Sequence, residues 1–135
     1  MLLKRVIQAT AVAAAGFAVA PPSWADAPPV GVYGCFDTQL HFSPVTNRSD
    51  LVITPQPFVM FGIVDGSTYS DWDGHHGHYS YDGAGGILTM TDGSRQGWRY
   101  RRTGNWSFTL IDNQTGKTIY SCPLEQKKNP EHGPW

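Results

Sequence analysis

Apolar and polar residues alternate along several short stretches of the chain. The clearest stretch is 105–111, where every second residue is large and apolar: Trp106, Phe108 and Leu110. Stretches 76–81 and 97–103 alternate in the same way, with aromatic residues on one side and histidine or arginine on the other. Because successive side chains of a strand point to opposite faces, this pattern predicts strands with one buried face.

Four Asp-Gly dipeptides interrupt the alternating stretches, at residues 65–66, 73–74, 82–83 and 92–93. Asp-Gly favours tight hairpin turns, because both central residues of such a turn need positive φ. Strands are predicted near residues 31–36, 58–64, 67–71, 76–81, 87–91, 97–103, 105–111 and 117–122. Residues 43–57 contain three prolines and are predicted to form a loop or an edge segment.

The stretch 58–64 is apolar on both faces, which predicts the most buried strand, placed where the sheet closes on itself. The predicted fold is all-β, a small antiparallel β-barrel or curled meander of about six to eight short strands closed by one disulfide. We favour the barrel because closure removes the exposed edges of the sheet.

Residues 1–25 have the composition of a signal peptide. Lys4 and Arg5 precede an apolar run, 6–20, that is too short to span a bilayer, and Ala25 is a suitable cleavage residue. Cleavage there would leave a barrel domain, 26–124, and a mobile C-terminal tail, 125–135. The expected location is periplasmic or secreted, with no membrane insertion after cleavage.

The chain has two cysteines, Cys35 and Cys122. In an oxidising compartment they predict one disulfide, which would close a loop of nearly the whole domain. A catalytic thiol is the alternative, but neither cysteine lies in a C-x-x-C pair or beside a histidine.

Charge argues against general nucleic-acid binding. The whole chain carries a formal net charge of −1, and loss of Lys4 and Arg5 makes the exported domain more acidic. An acidic domain is a poor candidate for binding phosphate backbones or anionic membranes.

Histidines follow the second Asp-Gly dipeptide. His76 and His78 are two residues apart on a predicted strand, so both side chains point the same way and can share a zinc or copper ion, with Asp73 as a further ligand. The alternative is an exposed hairpin arm on which histidine is a tolerated polar residue. Asp71-x-Asp73 also has the spacing that starts a calcium loop, but the closing glutamate is missing.

Arginines alternate with aromatic residues in the stretch 97–103. Arg99 and Arg101 would point outward while Trp98 and Tyr100 point inward. The outward pair forms a surface that suits an anionic protein partner. The alternative is a charged strand face paired with neighbouring polar groups.

Two resemblances rest on short motifs. Tyr33-x-Cys35, Asp65-Gly66-Ser67-x-Tyr69 and Cys122-Pro123 resemble small exported bacterial β-proteins without an assigned function. Tyr33-Gly34-Cys35 and Cys122-Pro123-Leu124 are also similar to the first and last motifs of periplasmic inhibitors of c-type lysozyme.

The second resemblance implies an eight-stranded barrel with an inhibitory hairpin. In that family a serine- and glycine-rich run precedes a tyrosine, and Gly66-Ser67-Thr68-Tyr69 is similar to it, which implies partner contacts at Ser67 and Tyr69. The family's second contact, Lys-Gly after an aromatic strand, is replaced here by the run 98–101.

No G-x-S-x-G elbow or phosphate-binding glycine loop is present in the sequence. We therefore expect a non-enzymatic exported binding module without a cofactor, which recognises a protein or an envelope component; its most specific form would be a lysozyme inhibitor. The alternative is a periplasmic zinc or copper protein built on His76 and His78. The sequence does not indicate the oligomeric state.

Overall fold

A computed structural model of the protein describes residues 25–125, 128–131 and 133–135. Ten strands and one short 3₁₀ helix make up the regular structure of these residues. They are β1 (Gly31–Tyr33), β2 (Phe36–Ser43), β3 (Arg48–Pro55), the 3₁₀ helix (Pro57–Val59), β4 (Phe61–Ile63), β5 (Thr68–Ser70), β6 (His76–Asp82), β7 (Ile87–Met90), β8 (Arg99–Gly104), β9 (Ser107–Ile111) and β10 (Thr118–Glu125). The predicted signal peptide lies outside the described residues except for Ala25, and it stays a prediction.

Eight of the strands form a closed antiparallel barrel, which confirms the predicted fold class. β1 closes it, because Tyr33 pairs with Phe61 of β4 on one side and with Leu124 of β10 on the other. The apolar stretch 58–64 contributes β4, beside the closing strand, and all three residues of β4 are buried.

The predicted disulfide between Cys35 and Cys122 is present, and both cysteines are fully buried. It joins the residues that follow β1 to β10, so it ties the first strand to the last. A disulfide is compatible with the oxidising compartment that export implies.

Aromatic rings fill the middle of the barrel. Tyr33 stacks on Phe61 with ring centroids 4.9 Å apart, and Phe61 contacts Tyr100 at 4.4 Å. The alternation in the sequence correctly placed Tyr79, Tyr100 and Phe108 on the buried face. These interlocked rings fill the interior of the barrel.

Two apolar residues depart from the predicted faces. Trp106 was expected in the core but is more than half exposed. It belongs to the turn after β8, because β9 begins at Ser107. Phe58 was expected in the most buried strand, but it lies in the 3₁₀ helix and is exposed.

Buried arginines lie near both ends of β8. Arg95 precedes β8, and Arg102 lies near its end; both are almost completely buried. Arg102 donates hydrogen bonds to the carbonyls of Asp26, Gly104 and Asn105 and to the hydroxyl of Tyr81. Backbone carbonyls thus satisfy a charge that would be costly to bury alone.

Residues 43–57 were predicted to form a loop or an edge segment, and the edge segment is confirmed, because β3 is the last strand of the sheet. β3 occupies Arg48–Pro55 and pairs with β2 over eight consecutive residue pairs without a bulge. The prolines do not interrupt this ladder: Pro44 lies in the turn, Pro55 ends β3, and Pro57 starts the 3₁₀ helix.

β2 and β3, with the turn between them, form what we call the projecting hairpin, residues 36–55. Its only ladder pairing with the barrel among the described residues joins Phe36 to Ser121 of β10. The rest of the hairpin therefore extends away from the barrel.

The described part of the C-terminal tail contacts the barrel. Trp135 packs edge-on against Trp72, with ring centroids 6.5 Å apart, and its indole N–H donates to the carbonyl of Asn129 at 2.6 Å. The hydroxyl of Ser70 donates to the carbonyl of Pro130. The mobility expected for the tail stays a prediction.

Candidate functional site

One face of the projecting hairpin is apolar and uncovered. Leu40, Phe42, Leu51 and Ile53 are 74%, 59%, 61% and 59% exposed, and we call these four side chains the apolar face. They share one side of the hairpin because side chains alternate along each strand. A contiguous exposed apolar surface of this kind typically marks a site of interaction.

The opposite face of the hairpin is polar. It carries every charged side chain of the two strands, together with His41, and its one large apolar residue is Val52. The hairpin is thus amphipathic like a strand pair that covers a core, although nothing among the described residues covers its apolar face.

The outer edge of β3 is also uncovered. β3 is the last strand in the sheet order, so among the described residues it pairs with β2 alone. All eight of its residues are exposed. Long apolar edge strands tend to associate with another chain unless a charge, proline or bulge prevents it.

The histidines expected to bind metal lie on the outer face of β6. His76 and His78 are both exposed, and Nδ1 of His78 lies 2.8 Å from Oδ2 of Asp92. Asp73 does not lie with these histidines. Among the described residues, Asp71, Asp73 and His75 form the one group of three possible metal ligands whose ligand atoms all lie within 4.8 Å of one another.

Asp71 is buried and accepts three hydrogen bonds. Its Oδ1 accepts the backbone N–H groups of Asp73 and His75 at 3.0 and 2.9 Å, and its Oδ2 accepts the hydroxyl of Ser94 at 2.5 Å. Burial raises the pKa of Asp71, but the bonds from Ser94 and His75 outweigh it and hold the pKa below its ordinary value. This carboxylate therefore clamps the turn after β5 to the segment between β7 and β8.

A shallow cleft of about 270 Å³ lies beside this clamp, and its aromatic lining residues are Phe58, Trp72 and Trp98. Arg95 forms part of the lining, with its guanidinium 4.9 Å from the centre of the Trp98 ring. It donates to the carbonyls of Phe58 and Val59 at 2.7 and 3.0 Å, which fixes the 3₁₀ helix against the barrel.

The two residues suggested by the inhibitor resemblance are separated by burial. Ser67 is exposed in a turn where the Asp65 carboxylate accepts its N–H at 2.9 Å. Tyr69 is fully buried; its hydroxyl donates to the carbonyl of Asp92 at 2.7 Å and accepts the N–H of Arg95 at 3.1 Å. Tyr69 is therefore a core residue that no partner at the surface can reach.

Arg99 and Arg101 lie on the side of β8 opposite the buried Tyr100, as the alternation predicted. Nε of Arg99 donates to the Asn113 side chain at 2.9 Å, while Arg101 is exposed. Their expected role toward an anionic partner stays a prediction.

Comparisons with known proteins found no family model that matches the chain, and no match among curated proteins or solved structures. No helix within the described ranges is long and apolar enough to cross a membrane.

Proposed function

We propose that the protein is an exported, non-enzymatic module that binds a protein partner through the apolar face of the projecting hairpin. The observation that carries this proposal is the exposure of four large apolar side chains on a hairpin that leaves the barrel. The core of the barrel is complete without these four side chains. Their exposure costs solubility and gives no stability in return unless something covers them.

The recognition can be tested with two neighbouring substitutions. Leu51 and Val52 are adjacent in β3 but lie on opposite faces, so Leu51→Lys damages the apolar face and Val52→Lys leaves it intact. The mature protein and both variants are immobilised and exposed to an envelope extract. We expect a retained protein that is lost with Leu51→Lys and kept with Val52→Lys. Equal retention by all three would contradict the proposal.

The most specific version of this function is inhibition of c-type lysozyme. It is supported by the closed barrel between Cys35 and Cys122 and by the exposed position of Ser67. The test is the rate of cell-wall lysis by lysozyme with and without micromolar protein. An unchanged rate would rule out this version and leave binding through the hairpin standing.

The second candidate function is metal binding, and the observation that favours it is the grouping of Asp71, Asp73 and His75. Imidazole and carboxylate are both zinc ligands, although the oxygens of Asp71 already accept hydrogen bonds. Untagged protein would be dialysed against zinc or copper and its metal content measured. Binding that His75→Ala abolishes and His76→Ala preserves would support this site; an absence of bound metal would exclude it.

A further inference from the structure

We propose that the apolar face also binds the same face of a second copy of this chain. The two hairpins would stack across a two-fold axis with their turns pointing in opposite directions. The inference rests on the proposed function only in that the two share this surface. A homodimer formed in this way would hide the apolar face until a partner protein competes for it.

Large and small side chains alternate across the hairpin. Beyond Phe36 and Pro55 at the base of the hairpin, three cross-strand pairs lie on this face: Thr38 with Ile53, Leu40 with Leu51, and Phe42 with Ser49. The central pair is large on both strands. In the pairs on either side of it, one large residue is opposed by one small residue, and the large ones lie on a diagonal.

This arrangement is complementary to itself. The axis of the half-turn runs parallel to the line that joins Leu40 and Leu51, midway between the two layers. This half-turn stacks the face on its own copy and reverses the direction of the strands. Phe42 then lies over Thr38 of the second copy, and Ile53 lies over its Ser49, while the central leucines meet their equivalents. Packed sheets favour large side chains against small ones, because the two layers then interdigitate at a separation of about 10 Å.

The same half-turn places the two barrels at opposite ends of the stack, so they do not collide. An interface in which both copies use one surface is the usual arrangement of a homodimer. Self-stacking requires the diagonal of large and small residues on this face, whereas binding of a different partner does not require it.

Charge and area are both compatible with a weak dimer. The charged side chains of β2 and β3 lie on the opposite face, so the stack buries no like charges. Each of the four large side chains offers roughly 100 Å² of apolar surface, which gives about 800 Å² over two copies. Stable interfaces bury at least about 1,200 Å², so we expect association at micromolar or higher concentrations.

Sedimentation equilibrium of the mature protein, from low micromolar to submillimolar concentration, measures this association. We expect the mass to rise from monomer to dimer for the wild type and for Val52→Lys. Ser49→Phe adds apolar area but fills a small position, so we expect roughly tenfold weaker association. A monomeric wild type, or a Ser49→Phe variant that associates more tightly, would overturn the proposal.

Cross-linking gives a second readout that does not depend on Ser49→Phe. Leu40 would lie next to Leu40 of the second copy, whereas Gln39 points to the other face. A short bis-maleimide should join two Leu40→Cys chains and not two Gln39→Cys chains; equal cross-linking of both would refute the stack. If the protein dimerises but retains no envelope protein, this inference stands and the proposed function fails. If it retains an envelope protein but stays monomeric, the proposed function stands and this inference fails.

Discussion

Leu40 and Leu51 lie directly opposite each other across the projecting hairpin, and both are more than half exposed. Tyr79 and Met90 form the equivalent cross-strand pair between β6 and β7, and both are buried in the barrel. The hairpin thus carries large apolar residues, as the core strands do, but none of its residues belongs to the core cluster. Its apolar residues are more readily explained by binding than by folding.

Replacing both leucines of that pair with threonine should therefore leave the fold almost unchanged. We expect the free energy of unfolding of Leu40→Thr/Leu51→Thr to change by less than about 1 kcal/mol, because exposed cross-strand pairs contribute little. Binding of an apolar fluorescent dye should fall. The control is Leu88→Thr, a fully buried position, where we expect a loss of about 2–4 kcal/mol. Urea unfolding measures the free energy of unfolding of both variants. A large decrease for Leu40→Thr/Leu51→Thr would show that the hairpin does contribute to the core.

Removal of the disulfide should be the most damaging change outside the aromatic core. Cys35 and Cys122 are 87 residues apart in the sequence, and cross-linking a loop of that order stabilises the folded state by about 4–5 kcal/mol. We expect a decrease of that size in the free energy of unfolding of Cys35→Ala/Cys122→Ala. Wild-type protein unfolded under reducing conditions should show the same decrease. A decrease below about 1 kcal/mol would contradict the view that the disulfide stabilises the fold by restricting the unfolded chain.

The planar guanidinium of Arg95 is predicted to stabilise the fold. Its guanidinium holds the carbonyls of Phe58 and Val59 while it stacks on Trp98, a combination that the point charge of lysine cannot reproduce. Arg95→Lys should lower the free energy of unfolding by about 2–3 kcal/mol. The same substitution at the exposed Arg101 should change it by less than about 0.5 kcal/mol. Equal changes in the free energy of unfolding at Arg95 and Arg101 would show that the geometry of the Arg95 guanidinium does not stabilise the fold.

The alternation of residues predicted the barrel because period two is a local property that burial enforces. It located the buried rings of Tyr79, Tyr100 and Phe108 and the outward side chains of Arg99 and Arg101. It failed at Trp106, because alternation does not show whether a residue continues a strand or belongs to the preceding turn.

The hairpin was missed for a different reason. Residues 51–54 have the β-branched, apolar character of a strand, but nearby prolines favoured a loop or a short edge segment over a long strand pair. Pro55 is compatible with the ladder because it ends β3. The bond between Ser94 and Asp71 links residues 23 apart, and no local pattern encodes such a contact. Long-range contact, rather than local propensity, therefore decides the surroundings of Asp71.

Acid should destabilise the protein through Asp71. The ordinary pKa of an aspartate is about 3.9 in the unfolded chain, and that of Asp71 is lower in the folded state. Its contribution to stability is complete above pH 4 or so and is lost as pH falls through the folded pKa, because the unfolded chain binds the proton first. Asp71→Asn should show a shallower loss of stability in acid.

Urea unfolding at several pH values below about 5 tests this difference. Some acid dependence should remain in Asp71→Asn, since backbone N–H groups also lower the pKa of Asp65 and Asp92. If the free energy of unfolding of Asp71→Asn falls with decreasing pH as steeply as that of the wild type, the bond to Ser94 does not stabilise the carboxylate.

Alkali should unfold the barrel through its buried tyrosines. Burial raises the pKa of Tyr79 and of Tyr100 to about 12, and it raises that of Tyr33 as well. The ordinary value is about 10, so the unfolded chain loses these protons first. Stability is therefore complete below about pH 10 and falls as pH rises toward the folded values. Phenolate absorbance of these tyrosines should appear together with the loss of the β-sheet circular dichroism signal. Ionisation of Tyr33, Tyr79 and Tyr100 with the sheet intact would mean that the barrel interior admits water.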